Sequence, residues 1–433
     1  MSSDDTSVKM KLSEESSPNV PSLLLSDDPD TVKVLGLPYA MATLGWVPGV
    51  LLLAFVTLES AYAAYLLATL HELRDGRRIK TLRALARETC GRWGKRVVVA
   101  LQFFIMIGSD IVLTVAAGAS IMNLVHNCFG SEGAACASHE YKAWPWTVLF
   151  GGCMLILAQL PNFHDLAIVS LMGSCMPIIY SSIALVSILV HGPEDDLDYS
   201  IIRGENDFKT AMSVLGGIGS IFFAYGGQVV QNEVTATLIT PPSIMTSMKR
   251  ALSVAYGVIG VGYFAVSICG YAFFGNAVTG NIMQSLPYAV PAYIANSCVV
   301  LHVAAAYQVL GMPVYHALEH RVQSLKGWNN KLSSNFMLRL VVRSTYVGIC
   351  TLLAAMIPFF SQLGGLIGGM GVGPLCGVVP IVMWEVYNRG YVSRLQSAFN
   401  WTLVVLLMAV SVATTIASFE QIVDQAHTFK IFG

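Results

Sequence analysis

Residues 211–238 read AMSVLGGIGSIFFAYGGQVVQNEVTATL. The stretch is long and apolar enough to cross a hydrocarbon core of roughly 30 Å, which takes about 20 residues. Tyr225-Gly226-Gly227 nevertheless stands near its middle, and Pro241-Pro242 follows its end. Glycine and proline weaken a helix. Backbone that unwinds at membrane depth survives only where protein or a water-filled cavity meets its polar groups. A second apolar segment, Val34–Trp46, carries a similar interruption at Gly36-Leu37-Pro38. Two broken segments, the first and the sixth along the chain, point to an inverted-repeat carrier with its site between the halves. Freed amides and half-helix ends at such a place can hold a carboxylate and an ammonium group. Glycines that only allow close packing are the alternative reading.

The surrounding sequence supports a bilayer setting. Hydrophobic residues make up 55% of the chain and charged residues only 12%, about half the charged share of an ordinary soluble domain. Apolar segments run over Val34–Trp46, Pro48–Leu70, Val97–His126, Trp144–Leu160, Leu166–Val190, Ala211–Leu238, Ala251–Phe274, Val290–Leu318, Leu338–Pro358, Phe360–Tyr387 and Phe399–Ala417. This predicts an all-α polytopic membrane protein of about eleven segments, the first truncated. Residues 1–30 are rich in Ser, Asp and Glu without periodicity, which predicts a disordered cytoplasmic tail. Residues 31–433 form one transmembrane domain. A net charge of −1 argues against a nucleic-acid partner.

Loop charges orient the bundle. The 71–96 loop holds Arg74, Arg77, Arg78, Lys80, Arg83, Arg87, Arg92, Lys95 and Arg96. Lys249, Arg250, Arg321, Lys326, Lys331, Arg389 and Arg394 fall in further loops on the same side if the segments alternate. The opposite loops hold only Lys142, Arg203 and Lys209, with Lys430 in the tail. By the positive-inside rule the basic loops and N-terminus face the cytoplasm, and the C-terminus lies outside or in a lumen. Ile79, Leu82, Leu85, Ala86 and Trp93 recur near helical spacing among the arginines. That suits a helix lying on the anionic leaflet, with an unstructured basic loop as the alternative.

Ionisable groups inside apolar segments cost roughly 2.5–3.5 kcal/mol on insertion scales and mark function by default. Glu59, Asp110 and His302 are the three candidates for carrying a proton, and a hydrogen-bonded core histidine is the competing reading of His302. Glu233 could cap or pair near the cytoplasmic end. The run Gly364-Gly365-Leu366-Ile367-Gly368-Gly369-Met370-Gly371-Val372-Gly373-Pro374 suits close helix packing and, secondarily, a hinge. Cys128 and Cys136 share one polar loop; they could form a disulfide if it is extracellular or lumenal, or remain two thiols. No motif for hydrolase, zinc-peptidase or nucleotide chemistry occurs, so no catalytic residue, metal or cofactor is expected. The sequon at Asn400-Trp401-Thr402 falls on the cytoplasmic side.

Several motifs carry a resemblance. Val34-Leu35-Gly36-Leu37-Pro38-Tyr39-Ala40-Met41-Ala42 with Leu44-Gly45-Trp46, then Leu160-Pro161-Asn162-Phe163, then Phe223-Ala224-Tyr225-Gly226-Gly227 with Glu233 and Ala236-Thr237, stand in order. Gly270-Tyr271, Phe274-Gly275-Asn276, Tyr307-Gln308, Met312-Pro313-Val314 and Thr428-Phe429-Lys430 continue the series. Together they resemble the amino acid/auxin permease family, in its plant-type lysine/histidine-transporter-like branch, over residues 34–433. The resemblance implies a LeuT-like five-plus-five inverted repeat with one extra helix, and proton-driven symport of amino acids, sodium being the less favoured ion. It implies no enzyme activity. The two breaks and the carboxyl within the third segment place substrate near Gly36, Leu37, Tyr225, Gly226, Gly227, Gln228 and Asp110.

Three departures qualify it. The family's first half-helix ends in Gly-x-Gly, where this chain has Thr31-Val32-Lys33 preceded by Asp27, Asp28 and Asp30. An incomplete or alternatively spliced chain is one explanation, and the carboxylate site would then be damaged. Gln228 stands where a histidine often follows the sixth-helix glycine. Asp110 and Glu59 occupy positions usually uncharged in that branch and could replace the lost titratable group. The expected function is secondary active transport of amino acids, at the plasma membrane or an internal membrane. A non-transporting amino acid sensor and a transport-defective isoform are the alternatives.

Overall fold

The computed structural model describes residues 29–72, 76–129, 143–160, 167–193, 197–235, 244–286, 290–326 and 332–428. Among them the regular structure is helical, with no strand beyond one isolated bridge between Glu72 and Arg78. A 3-10 turn, Pro29–Gly36, leads into α1 (Leu37–Leu44), and α2 (Trp46–Leu70) follows after Gly45. Next come α3 (Leu82–Phe129), α4 (Trp144–Leu157), α5 (Ala167–His191), α6 (Asp207–Ala224) and α7 (Gln228–Thr235). The second half holds α8 (Ile244–Phe274), α9 (Val290–Lys326), α10 (Leu332–Met356), α11 (Phe360–Ile367), a π-helical segment Gly368–Val378, α12 (Val379–Tyr387) and α13 (Arg394–Thr428). Eight of these helical stretches are long and apolar enough to span a bilayer, and Trp144–Leu157 and Cys175–His191 are shorter apolar helices. The chain is an integral membrane protein of the polytopic helical kind. Helices α3, α9 and α13 run past the apolar segments because polar residues continue each helix beyond the hydrocarbon.

The break expected at Tyr225-Gly226-Gly227 is present. Helix α6 starts on Asn206, whose side chain accepts from the Lys209 amide at 2.8 Å, a standard N-cap. It ends at Tyr225, with φ −112° and ψ 37°, and the chain re-enters a helix at Gln228. The first segment also lacks a continuous helix, since its N-terminal part is the 3-10 turn. Lys33 in that turn is buried, 5% exposed, with Nζ 4.5 Å from the Phe223 ring centroid. Cation–π attraction offsets part of the cost of burying the ammonium.

The glycine run serves packing. A Cβ on Gly219 of α6 would stand 2.5 Å from the Gly365 carbonyl oxygen, and one on Gly368 would strike the Gly219 carbonyl. Gly371 faces Ile105 on α3, and Gly377 faces Glu59 on α2. The π-helical segment is thereby wedged between α2, α3, α6 and α13. The 82–90 stretch departs from expectation: it is helical, but Leu82, Leu85 and Ala86 are buried in the protein core, so that apolar face meets protein and not lipid. At the other end of the bundle the 197–206 chain folds over α1 and α8. Tyr199 donates to the Ala272 carbonyl at 2.6 Å, and Tyr271 donates back to Tyr199 at 2.9 Å. The Ser200 amide (2.8 Å) and hydroxyl (3.0 Å) hold the Asp198 carboxyl below the usual carboxylate range. A lowered carboxyl pKa contributes stability above its unfolded value and loses it only as pH falls through the folded one. The cap therefore keeps this contribution at mildly acidic pH.

Gly368→Ala should destabilise the bundle by at least about 3 kcal/mol, since overpacking here meets backbone. Gly152→Ala, with open space around it, should be silent. Thermal scans of the two purified variants in detergent check the pair.

Candidate functional site

Side chains of neighbouring helices hold the backbone on both sides of the second break. The Ala224 carbonyl, at the end of α6, accepts from the Tyr263 hydroxyl at 3.1 Å on α8, and the Val229 carbonyl, in the first turn of α7, accepts from Gln102 Nε2 at 2.9 Å on α3. The Gly226 carbonyl accepts from the Val229 amide at 3.2 Å, with Cys376 Sγ of the π-helical segment at 3.7 Å. Gln228 Nε2 donates to the Ser60 carbonyl (3.0 Å), the Ser60 hydroxyl (2.7 Å) and the Tyr256 hydroxyl (2.9 Å). Tyr225 shares a 2.6 Å hydrogen bond with Thr57 and packs edge-on to Tyr263. Helices α2, α3 and α8 and the π-helical segment thus clasp the interruption. Glu59 neighbours Ser60, is buried against Gly377, and leaves Oε1 without a hydrogen bond.

A cavity of ≈ 250 Å³ lies at the ends of the helices away from the basic loops. Its polar lining includes Tyr39 of α1, Thr147 of α4, Asn281 and Gln284 of the α8–α9 connection, and Ser361 and Gln362 of α11. The wall is apolar on α3, at Val115, Ala116 and Ala119. Gly36 reaches this space, because a Cβ there would meet the Phe360 ring at 3.3 Å and the Gly280 carbonyl at 3.6 Å. The Ser220 hydroxyl of α6 donates to the Ser361 carbonyl at 3.0 Å. Ser220 precedes Tyr225 by about 7.5 Å of helix rise, so the Ser361 edge of the cavity is separated from the second break by about a turn and a half of α6. Leu37 is buried at the start of α1. No charged side chain lines the cavity among the described residues. Asn281 holds the Met283 amide at 3.1 Å through Oδ1, while its buried Nδ2 has no partner. An orphan donor of this kind costs about 1–3 kcal/mol unless something else accepts from it.

Asp110 belongs to a different cluster. It has no exposure, and Oδ2 accepts from the Tyr346 hydroxyl of α10 at 2.7 Å while Oδ1 is unpartnered. Tyr315 stacks edge-on to Tyr346 at 5.2 Å, and Arg343 lies over Tyr315 at 5.4 Å. Arg343 Nε is 2.8 Å from Glu319 Oε1, and Nη1 donates to the Ala158 carbonyl at 2.7 Å. His302 is buried and edge-on to Tyr180 at 6.1 Å, where α9 meets α5. The site residues read from the sequence therefore divide. Gly36 lies behind the cavity residues Phe360 and Gly280, Leu37 is buried next to it, Tyr225–Gln228 and Glu59 sit around the break, and Asp110 and His302 lie in other interfaces. The Glu233 side chain and the Cys128–Cys136 pair fall outside the described residues. Asn400 is wholly buried and held by Glu385 and Tyr62, so it is inaccessible to a glycan. Sequence reading missed Tyr39, Asn281, Gln284, Ser361 and Gln362. The polar Ser361-Gln362 pair inside an apolar segment was the one available signal.

An interrupted helix clasped beneath a small neutral cavity in a polytopic bundle defines a membrane carrier. The family model for transmembrane amino acid transporter proteins matches residues 32–422, and the chain belongs to that family. It is similar to lysine histidine transporter-like 1 of Arabidopsis thaliana, 32% identical over 92% of this chain and 87% of that protein. Lysine histidine transporter-like 6 (31%, covering 92% and 89%) and amino acid permease 2 (26%, covering 92% and 86%) of the same organism are similar as well.

Arg343→Met should destabilise the protein by about 3–5 kcal/mol, because it strands a buried Glu319 carboxylate. Pairing it with Glu319→Leu should recover most of the loss. A double-mutant cycle on melting temperature reads both.

Proposed function

We propose that the protein is a secondary active transporter that carries amino acids together with protons. The observation that carries this reading is the neutral cavity seated over the clasped break at Tyr225-Gly226-Gly227. The substrate occupies the cavity, with its carboxylate toward the Asn281 amide and its far end toward Gly36 and Tyr225. Gly226, Gly227 and Gln228 supply the part of the backbone that rearranges when the site changes sides. The two halves form an inverted repeat and rock about the site. The lining offers no acid to a side-chain ammonium, so substrates of zero net charge bind better than lysine.

Asp110 is the proton-binding group. It lies on α3, five positions before the cavity residue Val115, and its Oδ1 is unpartnered. Protonation neutralises a carboxyl that otherwise has one phenolic donor in a buried setting, which changes how tightly α3 holds α10. Glu59, beside the Gln228 anchor, is the second candidate. His302 serves the α5–α9 interface. Protons enter from the side opposite the basic loops; the charge asymmetry of the loops supports a cytoplasmic N-terminus, with the plasma membrane as the expected location.

Uptake of labelled amino acids should rise when external pH is lowered from neutral to mildly acidic. Asp110→Asn should remove that rise while leaving exchange of pre-loaded substrate. Unlabelled neutral amino acids should compete better than lysine, with histidine tested at neutral pH. Binding without flux would overturn transport in favour of a receptor role, and an intact pH response in the variant would remove Asp110. Asn281→Asp keeps the acceptor for the Met283 amide but loses the donor. It also sets a carboxylate against the substrate carboxylate, so it should raise KM by at least about tenfold, more than the loss of one hydrogen bond to a charged group alone.

A further inference from the structure

We propose that the cytoplasmic mouth of α3 is a binding site for a polyanionic phospholipid headgroup. Arg87, Arg92, Lys95 and Arg96 line one open cavity of ≈ 460 Å³ with Val99 and Ala100. No acidic side chain lines it among the described residues. Glu88, on the same helix, is 2.7 Å from Arg77 and belongs to that pair. Four cations facing one space repel one another, and an anion of several charges removes the repulsion.

The concavity comes from a single residue. In a straight helix Arg87 and Val99 stand about 18 Å apart along the axis and cannot line one cavity on a convex rod. Gly91 interrupts α3 with φ 70° and ψ −159°, a region open essentially to glycine alone. The Leu82–Cys90 piece is fixed by its buried apolar face, so the bend turns Arg87 toward Arg92, Lys95 and Arg96.

The position of the cavity along α3 indicates a lipid. It is open, and its lining passes from four cationic side chains to Val99 and Ala100, which belong to the apolar part of α3. Trp93 beside it is 74% exposed with the Arg96 guanidinium 5.0 Å from its ring. Exposed tryptophan at a helix entry is an interfacial anchor, and clustered Lys and Arg at that depth attract the anionic lipids of the cytoplasmic leaflet. The side assignment rests on the charge asymmetry of the loops. The site is independent of the transport reading.

The test reconstitutes the whole chain in nanodiscs of phosphatidylcholine with or without phosphatidylinositol 4-phosphate, and reads lipid retention and melting temperature. The expected result is preferential retention of the phosphoinositide and a higher melting temperature. Three surface cations contribute roughly fivefold each to such binding, so Arg92→Gln/Lys95→Gln/Arg96→Gln should lose roughly a hundredfold of the preference. Arg389→Gln/Arg394→Gln, in another basic loop, should keep it. Equal losses in the two variants would mean diffuse attraction and overturn the site, as would no preference in the parent protein. A full shift from soluble inositol 1,4-bisphosphate without the lipid would overturn the lipid assignment in favour of a soluble phosphate.

Discussion

Backbone polar groups at membrane depth must find partners, and the break at Tyr225–Gly227 creates several that the α6–α7 helix cannot serve itself. Its surroundings hold both flanks of the break. Tyr263 serves the Ala224 carbonyl at the end of α6, Gln102 donates to the Val229 carbonyl in the first turn of α7, and Gln228 reverses the relation by donating to the Ser60 carbonyl on α2. Most of these partners are side chains, which can change acceptors at modest cost, whereas a continuous helix must break backbone bonds to bend. A clasp of this kind fixes the unwound segment while leaving it a second arrangement. That property suits a moving site.

Close packing transmits the consequences. Gly219, Gly365 and Gly368 bring α6 and α11 to backbone contact, so a shift of one displaces the other. The π-helical segment beyond them touches the break through Cys376 and touches Glu59 through Gly377. On the far side α11 supplies Ser361 and Gln362 to the cavity. One element therefore touches the cavity, the break and a buried carboxylate. The Asp110–Tyr346 bond ties α3, which also lines the cavity, to α10. The proposed protonation and substrate sites share α3 as their common element.

Much of this was legible in the sequence because it is local. Span length, the glycine interruption and the run of glycines at 364–373 are properties of neighbouring residues. The cavity was not, because its wall is gathered from α1, α3, α4, α11 and the α8–α9 connection. Nothing near Asn281 in the chain marks it as an orphan donor. Asp110 stood out as a carboxyl in an apolar segment, but its partner is 236 positions away. The 82–86 face read as a membrane-lying surface for a related reason. Period and charge are the same whether an apolar stripe meets lipid or protein, and Leu82, Leu85 and Ala86 meet protein. Lys33 was legible only as a departure from the family's glycine, and the Phe223 ring that offsets its burial belongs to a distant helix.

The central claim is that substrate in the cavity acts on the clasped break beneath it. Hydrogen–deuterium exchange of residues 222–230 in nanodiscs, with and without a saturating mixture of L-amino acids, tests it most directly. The account predicts that amino acids slow exchange across Tyr225–Gln228 and along Asn281–Gln284, while the 82–96 region is unchanged. Substrate-dependent protection confined to other helices, with residues 222–230 unaffected, would contradict it.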